Sequence, residues 1–179
     1  PAGMEWGAST SNVAADGKGQ VLVFVRTEPY FRFFNRDGSF IKAWGDAELF
    51  NNPHSAIFDE AGDIWTTDSD DQLVRKFTAD GKLLMTIGKK GVIGDNSSTD
   101  SFNGANAVAI ASNGDIYVSD GYENARIVHF NSEGQFIRII GGGEGSEPGQ
   151  LKVVHGVAID SNGRILVNDS DNQRVSVFD

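Results

Sequence analysis

The chain has 179 residues, with 15 Lys and Arg against 25 Asp and Glu, so its formal net charge at pH 7 is −10. This acidic balance predicts that neither nucleic acid nor an anionic membrane is a partner, because phosphate groups require a basic patch. The absence of cysteine excludes disulfides, thiolate metal ligands and cysteine nucleophiles, and no apolar run approaches the roughly 18 residues of a membrane span.

Four copies of one segment follow one another along the chain, each built around a turn that contains glycine. The copies lie at residues 16–24, 59–68, 111–120 and 160–169. A second turn, Asp-Gly or Glu-Gly, follows each of the first three copies and precedes a further apolar segment at 39–45, 82–88 and 135–141. Turn glycines supply positive φ, and a neighbouring Asp or Asn caps the turn. Each copy therefore predicts four short antiparallel strands.

Four antiparallel strands in a repeat of about 40 to 50 residues are typical of one β-propeller blade. We therefore predict an all-β fold and a single propeller domain over residues 1–179, with blades at about 11–45, 54–88, 105–141 and 155–179. The fourth copy reaches Asp179 where its outermost strand should follow, so we expect three full blades and most of a fourth.

An open arc of blades would leave two apolar blade faces in water. At about 25 cal/mol per Å², several hundred Å² on each face would forfeit on the order of 10 kcal/mol. Three arrangements avoid this cost: a closed four-bladed ring, a ring completed by another chain such as a second copy, or a six-bladed ring of which this chain is a piece. We favour the six-bladed ring, because it also suits the spacing of the histidines.

His54 and His155 occupy the same position of their repeats, five residues before Asp59 and Asp160. Both are expected at the start of the strand nearest the propeller axis, in the second and fourth blades. Alternate blades of a six-bladed ring are related by about 120°, so a third histidine from a sixth blade would complete a zinc site with an open fourth position. Alternatively, the two imidazoles satisfy backbone groups or lie at a wet channel mouth.

The repeats resemble those of the NHL family, with its Asp-x-x-Gly-x-Ile-x-Val-x-Asp run at 160–169. The Asn-x-Arg-Val piece that follows stands here at 172–175 and, with Ile as its last residue, at 124–127. The second blade departs from the pattern, since Leu73 takes the place of the arginine. The resemblance implies a propeller, and the common use of such rings is to bind a protein or peptide through their rim loops.

Within the NHL proteins, the segments at 53–55, 65–68, 118–130 and 149–155 resemble the peptidyl-α-hydroxyglycine α-amidating lyases. These are six-bladed zinc enzymes that split a peptidyl-α-hydroxyglycine into a peptide amide and glyoxylate. The resemblance implies His54 and His155 as two of three zinc ligands, Tyr122 as catalytic base or proton shuttle, and Arg26 as the anchor of the substrate carboxylate. A phenol can accept the hydroxyl proton if metal and guanidinium lower its pKa, and a guanidinium binds a carboxylate bidentately.

Several residues depart from the lyase pattern. Glu123 stands where those enzymes carry a cysteine, and the third histidine, with the structural calcium site near it, would lie past Asp179. Two histidines alone would hold zinc weakly. Acidic loops at 68–71 and 169–172 resemble calcium loops but lack the glycine and glutamate that an EF-hand needs, so we favour blade turns there. Two hypotheses stay open: a lyase acting on a small peptide-like substrate, and a non-catalytic propeller that binds a protein or peptide.

Overall fold

The computed structural model describes residues 6–7, 9–46 and 48–179, and within them it forms fifteen strands in four antiparallel sheets. The first sheet comprises β1 (Thr10–Ala15), β2 (Gln20–Val25), β3 (Phe31–Asn35) and β4 (Phe40–Trp44), and the second comprises β5 (Pro53–Phe58), β6 (Ile64–Asp68), β7 (Leu73–Phe77) and β8 (Leu83–Gly88). The third comprises β9 (Ala105–Ile110), β10 (Ile116–Asp120), β11 (Arg126–Phe130) and β12 (Phe136–Ile140), and the fourth β13 (Val154–Ile159), β14 (Ile165–Asp169) and β15 (Arg174–Phe178). No helix in this part of the chain is long and apolar enough to cross a membrane.

Each sheet is a meander in which strands adjacent in sequence are hydrogen-bonded neighbours. The first strands of the sheets, β1, β5, β9 and β13, pack against one another in chain order. They therefore line a common axis, and the other strands of each sheet follow outward from it. The all-β fold and its propeller blades are as the sequence predicts, and the fourth sheet has three strands in the described part of the chain.

The repeated turns between the first and second strands of three blades depend on glycine. Gly62, Gly114 and Gly163 have φ values of +89°, +88° and +82°, a region that other residues rarely adopt. In the fourth blade the carboxylate of Asp160 accepts hydrogen bonds from the backbone N–H groups of residues 162 and 164, at 2.8 and 2.9 Å. The turn chemistry read from the sequence is thus what closes these hairpins.

Replacing Gly163 with alanine is expected to lower the free energy of unfolding by about 1–2 kcal/mol, the cost of a left-handed conformation for an L-residue. A Cβ atom at Gly163 would have no atom within 4 Å, so the loss would come from the backbone alone. Urea unfolding measures it. Gly156→Ala in the same blade is the control, because Gly156 lies outside the left-handed region and its nearest contact would be an ordinary 3.7 Å. Equal stability of the two variants would contradict the turn assignment.

Apolar side chains fill the spaces between successive blades. Between the first and second blades, Phe31 stacks on Trp44 with ring centroids 3.7 Å apart, and Phe77 of the second blade lies 5.7 Å from the Trp44 ring. Similar clusters join the second blade to the third and the third to the fourth. This packing fixes the relative position of the blades, and with it the spacing of side chains near the axis.

The third strand of the fourth blade exposes side chains at positions that are buried in the third blade. Val175 and Val177 are 63% and 50% exposed, whereas the residues at the equivalent positions of the third blade, Ile127 and His129, are 0% and 7% exposed. The third blade is covered at this face by the fourth. The fourth blade has no such cover within the described residues.

Candidate metal and proton-transfer site

Four side chains, one from each blade, meet at one end of the axis. His54 and His155 are each the second residue of the innermost strand of their blade, β5 and β13. Arg26 directly follows β2, and Tyr122 lies two residues after β10. The structure therefore brings to one rim all four residues that the sequence singled out.

The two imidazoles are directed at the same atom. The hydroxyl oxygen of Tyr122 lies 2.8 Å from Nε2 of His54 and 2.7 Å from Nε2 of His155. The centroids of the two histidine rings are 5.3 Å apart. Tyr122 is 45% exposed, so the point where the three groups meet is open to a ligand.

The hydrogen bonds of His54 determine its tautomer. Nδ1 of His54 lies 2.6 Å from the backbone carbonyl oxygen of Asn106, which can only accept a hydrogen bond, so Nδ1 carries the proton. Nε2 then has a free lone pair and accepts the hydrogen bond of the Tyr122 hydroxyl. The oxygen of Tyr122 in turn accepts the N–H of His155 Nε2. The alternative from the sequence, a histidine that satisfies a backbone group, thus holds for Nδ1 of His54 but leaves its Nε2 facing the axis.

Burial and neighbouring charge decide the protonation states. Burial lowers the pKa of His54, and the nearby His155 and Arg26 lower it further, against the opposing hydrogen bond to Asn106. His54 is therefore neutral at pH 7, as a metal ligand must be. Burial raises the pKa of Tyr122 above its ordinary value of about 10, and Arg26 opposes this rise. Tyr122 is a protonated phenol here, so the lowered pKa that a base would need is not built in by the chain's own charges.

A polar cleft of ≈ 350 Å³ opens beside the meeting point of these groups. Arg26, His54 and Tyr122 line it, together with Asp70 and Glu123. The side chain of Arg26 is exposed and forms no ion pair with any other described residue. Its guanidinium is free to bind a carboxylate that enters the cleft.

The donor set fits part of a zinc site. Two imidazole Nε2 atoms converge, and the Nδ1–H of His54 is held by a carbonyl oxygen in the way that metal-binding histidines are oriented. A third ligand does not complete the set, since no group of three or more His, Cys, Asp or Glu among the described residues could hold a metal ion. His54 and His155 could therefore supply two ligands of a zinc ion.

The acidic loop after β6 is a structural turn. The carboxylate of Asp68 accepts hydrogen bonds from four backbone N–H groups, those of residues 51, 52, 70 and 71. In the fourth blade, Nε of Arg174 lies 2.7 Å from the Asp169 carboxylate. These oxygens are occupied by the protein, which supports the interpretation as blade turns over that of calcium loops.

Asn106 is the residue of this site whose role the sequence did not reveal. It occupies in β9 the position that the histidines occupy in β5 and β13, and it is fully buried. The sequence did contain one indication of this role, since a polar residue stands at the histidine position of the blade between the two that carry histidine.

Comparison with known proteins gives related sequences and folds. The family model for the NHL repeat matches residues 102–130 and 151–178. A probable peptidyl-alpha-hydroxyglycine alpha-amidating lyase of Caenorhabditis elegans is 35% identical over 147 residues, which cover 80% of this chain and 41% of the relative. NHL repeat-containing protein 3 of Homo sapiens is 29% identical over 162 residues, 84% of this chain and 45% of the relative. The chain thus spans less than half the length of these curated relatives.

Solved structures confirm the fold. A protein of unknown function from Bacteroides thetaiotaomicron superposes with a TM-score of 0.73 and 15% identity, over 93% of this chain and 46% of that chain. The WD40 beta propeller domain of Doa1 superposes with a TM-score of 0.68 and 19% identity, over 97% of this chain and 51% of that one. Since both identities are low, these matches bear on the architecture alone.

Proposed function

We propose that the chain, a β-propeller whose residues 102–130 and 151–178 match the NHL repeat and which is similar to a peptidyl-α-hydroxyglycine α-amidating lyase, supplies the active site of a zinc-dependent lyase. The substrate is a peptide with a C-terminal α-hydroxyglycine, and the products are a peptide amide and glyoxylate. The observation that supports this most strongly is the convergence of His54 and His155 on the Tyr122 hydroxyl, beside the free guanidinium of Arg26.

In this proposal each residue has a distinct role. His54 and His155 would hold a zinc ion through Nε2, and its other ligands would have to come from outside the described residues. When bound, zinc lowers the pKa of the substrate hydroxyl. Arg26 binds the carboxylate of the hydroxyglycine and thereby orients its α-carbon.

Tyr122 moves the proton. The hydroxyl proton of the substrate leaves, its oxygen becomes the carbonyl of glyoxylate, the C–N bond breaks, and the amide nitrogen gains a proton. Because its pKa is raised, Tyr122 is better suited to pass a proton on as a phenol than to act as a phenolate base. The phenol gives its proton to the departing nitrogen and recovers one from the hydroxyl, so it returns to its starting state.

The direct test is glyoxylate release from a peptidyl-α-hydroxyglycine by the full-length protein, once loaded with zinc and once treated with EDTA. Zinc-dependent release of glyoxylate and peptide amide in equal amounts is the expected result. The alternative function is a propeller that binds a protein or peptide through its rim loops, and the lack of a third metal ligand among the described residues favours it. If the purified full-length protein showed no turnover and held no stoichiometric zinc, the lyase would be excluded and that scaffold would be favoured.

Arg26→Gln is expected to raise KM about 10- to 100-fold, because a hydrogen bond to a charged group contributes about 1.5–3 kcal/mol. The effect on kcat should be smaller, since the carboxylate is bound in the ground state as well as in the transition state. Steady-state kinetics measure both constants. Arg36→Gln is the control, because Arg36 is exposed in the turn between β3 and β4, outside the cleft. An unchanged KM for Arg26→Gln would remove Arg26 from the site.

A further inference from the structure

Asn106 makes hydrogen bonds to all sides of the site. Its side-chain Nδ2 donates to the carbonyl oxygens of Gly121 at 2.9 Å and Val154 at 2.6 Å, and its Oδ1 accepts from the Ser119 hydroxyl. Its own backbone carbonyl accepts Nδ1–H of His54 at 2.6 Å. The residue is 0% exposed, so no water competes for these bonds.

The partners of Asn106 are next to the groups that converge on the axis. Gly121 immediately precedes Tyr122 in the chain, and Val154 immediately precedes His155. One residue is thus joined to His54 directly, and to Tyr122 and His155 through a single peptide unit each. These three groups belong to the second, third and fourth blades, so Asn106 fixes the blades to one another at the point where the side chains meet.

An asparagine suits this position because of its donor and acceptor set. The amide offers two N–H donors and one acceptor on a short stem, and here both carbonyls and the Ser119 hydroxyl use them. An aspartate would set carboxylate oxygens against two carbonyl oxygens, and an imidazole could not donate to both. A neutral histidine, as carried by the flanking blades, would therefore leave one of the two carbonyl oxygens without a donor.

We propose that Asn106 is a positioning residue that sets the tautomer of His54 and the relative placement of His54, His155 and Tyr122. Its backbone carbonyl keeps the proton of His54 on Nδ1, and this leaves Nε2 of His54 free to face the axis. Its amide holds the backbone at Tyr122 and His155, so that the Tyr122 hydroxyl reaches Nε2 of His54 and Nε2 of His155 reaches the Tyr122 hydroxyl. The catalytic consequence rests on the proposed function, whereas the structural effect on the three groups does not.

The test is Asn106→Asp in the full chain, read by ¹⁵N NMR of the histidine rings in the metal-free protein at pH 7.5. The unsubstituted chain should show His54 with its proton on Nδ1. The variant keeps the backbone carbonyl of residue 106, but repulsion between its carboxylate and the carbonyls of Gly121 and Val154 should move that carbonyl away from Nδ1 and give a mixture of the two tautomers. Titration with Zn²⁺ alone should give an affinity about 10- to 100-fold lower for the variant, as for other residues that orient metal ligands. An unchanged tautomer together with an unchanged zinc affinity would overturn the proposal.

Two further variants separate positioning from general destabilisation. Thr66→Val is the matched control, since Thr66 is equally buried and its hydroxyl bonds only to the carbonyl of Arg75; it should leave the His54 signals unchanged. Ser119→Ala removes the hydroxyl that orients the Asn106 amide and should shift the tautomer in the same direction to a smaller extent, which keeps the proposal testable if Asn106→Asp does not fold. If the full-length protein binds no zinc, the proposed function fails, and the tautomer measurement still decides the role of Asn106.

Discussion

Replacing His54 with alanine is expected to abolish the binding of zinc. The chain offers two imidazole nitrogens to a metal at the axis, and the substitution removes one of them together with the carbonyl-held Nδ1–H that orients it. A single imidazole then remains at the axis, and among the described residues no group of three or more His, Cys, Asp or Glu could hold a metal ion in its place. Metal analysis after dialysis against limiting zinc measures the loss, and His155→Ala should behave in the same way.

His129, which lies away from the axis, provides the control for this experiment. His129 lies in β11, where its Nε2 is 2.9 Å from the Asp115 carboxylate and its ring stacks on Tyr117. His129→Gln removes a buried imidazole as His54→Ala removes a half-buried one, but it leaves the axis intact. We expect zinc binding to survive in His129→Gln. Retention of stoichiometric zinc by His54→Ala would mean that the metal is held elsewhere, and the proposed site would be wrong.

The sequence predicted the fold because the blades repeat. Each repeat contains its own turn residues, such as Gly163 and Asp160, whose hydrogen bonds join residues only a few positions apart. Position within the repeat also placed His54 and His155 on innermost strands, because residues at the same position of two repeats occupy equivalent positions around the propeller axis. The convergence of their rings therefore follows from periodicity together with closure around that axis.

The details of the site lay beyond such reasoning because they depend on contacts between blades. The hydrogen bond from His54 to the Asn106 carbonyl joins residues 52 positions apart, and the bond from Asn106 to Val154 joins residues 48 positions apart. Nothing within a single repeat encodes these distances. The raised pKa of Tyr122 likewise follows from the partial burial of its hydroxyl in the folded chain, which the identities of its sequence neighbours do not reveal.

Tyr122→Phe is expected to lower kcat about 10²- to 10⁴-fold, the contribution typical of a positioned proton-transfer group. The phenyl ring can keep the edge contacts that Tyr122 makes with both imidazoles, at centroid distances of 5.7 and 5.3 Å. The substitution therefore removes the hydroxyl and little else. KM should change little, because the substrate carboxylate is bound by Arg26 and not by the phenol.

Zinc binding gives this variant a readout that distinguishes proton transfer from metal binding. The Tyr122 hydroxyl donates to the His54 lone pair in the metal-free chain, so a metal ion must displace that hydrogen bond. Tyr122→Phe should consequently bind zinc at least as tightly as the unsubstituted chain while turning over far more slowly. Tyr117→Phe serves as the control, since Tyr117 is buried against His129 in the third blade and should affect neither property. Loss of zinc together with activity in Tyr122→Phe would instead make the phenol part of the metal site, whereas an unchanged kcat would take Tyr122 out of the reaction.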